Sequence, residues 1–221
     1  MITALPILIP LMVVILLLMV GRKVYWLKLI GISGAFLLFL ASLLIFYTVR
    51  QEGILVSQAG GWPAPYGITL VIDLLSALML LISSFTAFLV GVYALKGIDE
   101  KRHRFRFFLF FHTLMMGVGG AFIAGDIFNM YVWFEVMVMS SFVLITLGSE
   151  KQQLEGGIKY VTMNLMGSFL FLAGIGLIYG KTGTLNLADL SMTVRESDQT
   201  FLMNSSFILF FMGFGIKAAI F

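Results

Sequence analysis

Seven apolar runs decide what this chain can fold into: roughly residues 3–20, 27–49, 68–95, 105–124, 128–147, 158–179 and 201–221. Each exceeds the ~17 residues that a helix needs to cross a ~30 Å hydrocarbon core. Lipid offers no water to a free amide or carbonyl, so helices, which close their backbone bonds within one segment, are the expected form. A spanning barrel would show alternating strands of about ten residues, and no such pattern occurs. Composition points the same way. The chain is 60% apolar and 11% charged, with a mean hydropathy of +1.05, whereas soluble domains carry about 25% charged residues. The expectation is an all-α, polytopic integral membrane helix bundle with about seven transmembrane helices, embedded in a lipid bilayer.

The formal net charge of +3 is small. Its distribution reads as topology, and no nucleic-acid surface is expected. The connections after the first, third and fifth runs hold Arg22, Lys23, Lys28, Lys96, Lys101, Arg102, Arg104, Arg106, Lys151 and Lys159. Those after the second, fourth and sixth hold Arg50, Lys181 and Arg195. Ten against three places the first set in the cytoplasm and the N-terminus outside. Trp62, Tyr66 and Tyr93 fall near the expected interfaces, where amphipathic rings belong. With no cysteine, disulfides, thiolate metal sites and iron–sulfur clusters on this chain are excluded. Two histidines without a paired ligand argue against a metal site, and no cofactor is expected. The start of the chain lacks a basic n-region and a cleavage site, so residues 3–20 read as a retained helix. The chain stops at Phe221 without a polar cap, which reads as the first part of something longer.

Against this apolar background two residues stand out. Glu135 lies eight residues into the fifth run, about 12 Å from its outer end at ~1.5 Å per residue. No positive residue occurs between Arg106 and Lys151, so its own helix offers no partner. Lys217 lies in the last run, after Gly213 and Gly215, which are expected to mark local unwinding. Ionisable groups inside a bilayer are costly and mark ion or proton pathways. The plainer alternatives are a buried acid joining two helices, and a lysine snorkelling to the interface. Asp73 and His112 are further titratable candidates. Asn129, Ser140, Ser141 and Asn164 are polar enough to bind water, with helix-to-helix hydrogen bonding as the default role. Asp126 reads as the hairpin turn between the fourth and fifth runs. A tight turn there sets Glu135 level with Gly117 and close to Gly119 and Gly120, which would leave room for water beside the carboxylate. No nucleophile–base or metal constellation is visible, so a transporter subunit is expected and an enzyme is not.

Several stretches resemble the D subunit of the Mrp-type multisubunit Na+/H+ antiporter. They are Gly60-Gly-Trp-Pro-Ala-Pro-Tyr-Gly67, Asp73-Leu-Leu-Ser-Ala-Leu-Met79, Gly125-Asp-Ile-Phe-Asn-Met-Tyr-Val-Trp-Phe-Glu135, Gly183-Thr-Leu-Asn-Leu-Ala-Asp-Leu190 and Gly213-Phe-Gly-Ile-Lys217. This family is akin to the proton-pumping antiporter-like subunits of respiratory complex I. The resemblance implies about fourteen helices, three leading ones followed by two inverted repeats of five. Residues 1–104 would be the leading helices and 105–221 most of the first repeat, with the C-terminal half absent. Glu135 matches the acid of the fifth helix and Lys217 the lysine of the broken seventh. In the family these form a charge pair that switches during transport.

The resemblance implies a proton-translocating subunit of a monovalent cation/proton antiporter in a bacterial plasma membrane. Protons and Na+ (or K+) would be the ions moved, and other antiporter subunits the partners. Further lysines of the family's polar axis, in the eighth and twelfth helices, have no counterpart here, so these residues alone are not expected to transport. Two alternatives stay open: a complex I-type pumping subunit, and a truncated assembly piece that does not transport.

Overall fold

A computed structural model describes residues 2–21, 23–196 and 201–220. Arg22, counted among the orientation charges, and Phe221, the end of the seventh run, lie outside the described residues. In chain order the elements are α1 (Leu5–Met19), α2 (Val24–Glu52), β1 (Leu55–Gln58), β2 (Thr69–Ile72), α3 (Leu74–Gly97), α4 (Glu100–Arg104), α5 (Phe107–Phe122), α6 (Ile127–Thr146), α7 (Lys151–Thr182), α8 (Leu187–Glu196) and α9 (Phe201–Lys217). The seven expected spans are present as α1, α2, α3, α5, α6, α7 and α9. Among the described residues five helices are long and apolar enough to cross a membrane, α1 counted together with the 3-10 turn Ile2–Ala4 that leads into it; α5 and α9 are shorter, at 16 and 17 residues.

The long helices contact one another in a row: α3 with α2, α2 with α1, α1 with α5, α5 with α6, α6 with α7 and α7 with α9. Leu17, Leu27, Ala35, Ala87 and Phe108 form one core where the leading helices meet α5. Ile127, Phe171, Ile175 and Leu190 form another among α6, α7 and α8. Large apolar side chains such as Leu18, Leu44, Phe169 and Phe207 point outward. A soluble protein would hide them, but lipid accepts them.

The connections collect at two ends. At the Lys/Arg-rich end, Arg102 pairs with Asp99 and Glu150, each at 3.4 Å. Lys28 donates to the carbonyl of Leu95 at 2.8 Å, and Arg106 donates to that of Leu17. At the other end a structure appears that the hydropathy pattern hides. Strands β1 and β2 pair antiparallel, with Leu55 opposite Ile72 and Gln58 opposite Thr69. The third span therefore begins at Leu74 rather than at residue 68. Ile68–Ile72 is apolar and β-branched, and such a run fits a buried strand as well as a helix.

This hairpin is sewn to two other connections. Val71 donates to Ile123 at 2.8 Å and Gly125 to Thr69 at 2.9 Å; Ile127 donates to Leu185 and Leu187 to Gly125, both at 3.0 Å. Asn186 completes the clasp. Its Nδ2 donates to Thr69 Oγ1 at 3.1 Å, and its Oδ1 accepts from Ala188 N–H at 3.1 Å at the start of α8.

Candidate functional site

Three helices bring three polar side chains together. Glu135 comes from α6, Ser168 from α7 and Lys217 from α9. Lys217 Nζ donates to Ser168 Oγ at 3.0 Å, and Ser168 Oγ donates to Glu135 Oε1. Lys217 Nζ lies 3.8 Å from Glu135 Oε1, an ion-pair distance too long for a direct hydrogen bond. Ser168 is 3% exposed. The Lys217 and Glu135 side chains are 12% and 24% exposed.

The register that makes this cluster comes from glycines. A Cβ at Gly213 would meet Gly167 O at 3.1 Å, and one at Gly167 would meet Ile216 Cγ2 at 3.1 Å. The backbones of α7 and α9 thus touch at a pair of glycines, as small residues permit in membrane helix packing. Gly167 precedes Ser168, and Gly213 lies one turn before Lys217, so the close approach delivers the two side chains to each other. Aromatic rings wall the site. Phe171 packs on Phe214 and Phe210 with centroids 4.9 and 5.1 Å apart, and Phe134 packs on Phe171 at 6.0 Å. Lys217 Nζ also sits over the Phe134 ring, 5.4 Å from its centroid, where a cation is attracted by the ring quadrupole.

Two sequence expectations change here. Gly213 and Gly215 lie in regular helix; α9 ends at Lys217, and Ala219 follows with φ 56°. The glycines are used for close contact rather than for unwinding. Near Gly117 and Gly120 the room expected for water is filled. Met137 Cγ lies 2.7 Å from a Cβ position at Gly117, and the Trp133 ring covers Gly120. Gly119 meets Pro6 of α1 instead. Glu135 turns away from these residues toward α7 and α9, and borders an open groove with Phe110, Thr113 and Met139.

Among the other candidates Ser140 lines the same groove as Glu135, but its hydroxyl is not part of the Glu135–Ser168–Lys217 chain of hydrogen bonds. Asp73 is the N-cap of α3, accepting from Ser76 N–H at 2.7 Å; that bond holds its carboxyl below the ordinary 3.8. His112 is fully buried and its Nε2 donates to Gly31 O at 2.8 Å, bridging α5 and α2. Ser140 bonds back to Val136 O at 2.7 Å, and Asn164 to Tyr160 O at 2.9 Å. Half-buried Ser141 lies on α6. Asn129 is buried near the start of α6, and its Nδ2 has no partner among the described residues. Asp126 caps that helix through Asn129 N–H at 2.8 Å. Ser168 is not among the sequence candidates. Its only signal there is a serine after a glycine within a span.

Residues 124–221, which contain all three site residues, match the family model described as NADH:quinone oxidoreductase/Mrp antiporter, TM. The chain is 40% identical over 217 residues to the D subunit of the Na(+)/H(+) antiporter of Bacillus subtilis (strain 168), a match that covers 98% of this chain and 44% of that protein. It thus spans less than half the length of that relative. Among solved structures, the membrane-bound sulfane sulfur reductase, an archaeal respiratory membrane complex, superposes with a TM-score of 0.89 at 29% identity, over 96% of this chain and 44% of that one. The Mrp complex from Dietzia sp. DQ12-45-1b shares the fold, with a TM-score of 0.87 at 24% identity over 99% of this chain and 41% of that one. Along almost its whole length, then, the chain is similar to the first part of the D subunit of a Na(+)/H(+) antiporter, and its residues 124–221 match the transmembrane model shared by NADH:quinone oxidoreductases and Mrp antiporters.

Proposed function

We propose that this chain forms part of a proton-translocating subunit of a multisubunit monovalent cation/proton antiporter. The observation that carries the reading is the meeting, at 3.8 Å, of Glu135 within α6 and Lys217 at the end of α9, an acid and a base on apolar helices. Both side chains are largely buried, so each charge depends on the other for its stability. Moving either proton changes the field at the other site, and such coupled titration is what a relay uses. Lys217 would exchange its proton with Glu135, and the pair would open and close as neighbouring sites change charge. Asp73, His112, Asn129, Ser140, Ser141 and Asn164 would support the fold or hold water outside this cluster.

The partners would be other subunits of the antiporter, and the ions protons and Na+ or K+. The Lys/Arg-rich end would face the cytoplasm of a bacterial cell, with the N-terminus outside. Residues 1–104 would hold the leading helices and 105–221 an incomplete first repeat, its first four helices. A second reading, a redox-driven pump of the complex I type, is supported by the description of the family model. The 40% identity to the D subunit of an antiporter supports the first.

The test is Glu135→Gln in the full-length subunit, expressed with its partners. Antiport is expected to be abolished while the complex still assembles. Cation-dependent ΔpH dissipation at the wild-type rate by everted vesicles carrying this variant would sink the reading.

A further inference from the structure

We infer that Ser168 is the proton bridge between Lys217 and Glu135. The inference rests on the function proposed above. At 3.8 Å the ammonium and carboxylate are too far apart for direct transfer, whereas the serine hydroxyl is bonded to both. A hydroxyl can donate one hydrogen and accept at its lone pairs at the same time. Here it accepts from Lys217 Nζ and donates to Glu135 Oε1. That arrangement is unusual among the membrane-helix serines of this chain. Ser42, Ser140 and Ser206 each spend their hydroxyl on the carbonyl four residues back, the default for serine in a helix. Ser168 turns its hydroxyl out toward the neighbouring helices instead.

The transfer balances without any further reactant. One Nζ–H bond of Lys217 breaks as an Oγ–H bond forms at Ser168. The original Oγ–H bond of Ser168 breaks as an Oε1–H bond forms at Glu135. The lysine becomes a neutral amine, the glutamate a neutral acid, and the serine is regenerated with its hydroxyl pointing the other way. The reverse shift restores the ion pair. Because Ser168 is buried and bonded to both partners, the hop needs no bulk water. A proton can pass between α9 and α6 only while α7 holds the hydroxyl in line, so a small slide of α7 would switch the contact off.

The experiment compares Ser168→Ala, Ser168→Thr and Glu135→Gln in the full-length subunit within its assembled complex. Assembly is checked by co-purification, and antiport by cation-dependent ΔpH dissipation in everted vesicles. Ser168→Ala is expected to slow antiport by at least about tenfold, and Ser168→Thr, which keeps the hydroxyl, to stay within about threefold of wild type. An alanine variant at the wild-type rate overturns the bridge. So does an equal loss in both variants, because the loss then follows side-chain volume and not the hydroxyl. If the alanine variant fails to assemble, Ser168→Cys, with its weak thiol donor, replaces it under the same criteria. An inactive Glu135→Gln beside a fully active Ser168→Ala removes the bridge alone, whereas a fully active Glu135→Gln removes the functional reading itself.

Discussion

Replacing Gly213 by alanine should loosen the site from one turn away. The added Cβ would sit 3.1 Å from Gly167 O, 3.2 Å from Phe171 Cβ and 3.3 Å from Phe171 N. Carbon contacts are comfortable from about 3.5 Å, and two of these three atoms are backbone that cannot rotate aside. Helix α9 must therefore back away from α7 by about 0.3 Å. Such overpacking costs roughly 1–3 kcal/mol, offset by about 1 kcal/mol of improved helix propensity. The net loss is about 1 kcal/mol. Gly176→Ala is the matched control, since nothing lies within 4 Å of its Cβ position; it should gain up to about 1 kcal/mol.

The two variants of the detergent-purified chain should then melt roughly 4–8 °C apart, followed by tryptophan fluorescence. Function should respond as well. If a 1 Å misplacement costs about a hundredfold, 0.3 Å costs roughly fourfold in antiport by the full-length complex. Equal melting temperatures for Gly213→Ala and Gly176→Ala would refute the close-approach argument. So would an unchanged antiport rate in a complex that is measurably destabilised.

Two further outcomes follow from the ends of the bundle. Burial, reinforced by the Lys28 charge, pushes the imidazole of His103 below its ordinary 6.5. The unfolded chain takes up that proton near pH 6.5 and the folded chain only at lower pH, so stability is kept above 6.5 and declines as pH falls below it. His103→Gln should flatten that decline, and identical melting profiles across this range in both proteins would disprove the assignment. Asn186→Ala removes a helix cap and a buried hydrogen bond, together about 2 kcal/mol. The amides of Ala188 and Asp189 should exchange faster, and unchanged protection there would show that the clasp does not depend on Asn186.

How much of the molecule is legible in its sequence depends on the physics of each residue. Glu135 and Lys217 are readable because a charge in hydrocarbon is conspicuous in any one-dimensional pattern. Their partnership is expected only through the family resemblance, since in physical terms it depends on which faces of α6, α7 and α9 meet. Ser168 is invisible for a different reason. A helical serine is normally satisfied by its own backbone, and only the glycine before it distinguishes it from Ser140. The helices themselves follow from apolar length, but strand β2 does not, because an apolar run of β-branched residues ahead of a span merges with it. The sign available there is Asp73, a helix cap three residues before Ser76. Gly213 reads in sequence as a point of weakness, and its role in contact emerges only once Gly167 stands opposite.

The distance along the chain between the members of the site also bears on how it is made. Ser168 lies 33 residues after Glu135, and Lys217 another 49 after that. At about 5–20 residues per second, a growing chain exposes the acid for seconds before its hydroxyl partner is synthesised, and for a comparable time again before the ammonium exists. A charged side chain at the centre of a membrane helix costs about 2.5–3.5 kcal/mol on insertion scales. Helix α6 is therefore favoured to wait beside the insertion machinery until α7 and α9 emerge and bring Ser168 and Lys217 to its carboxylate.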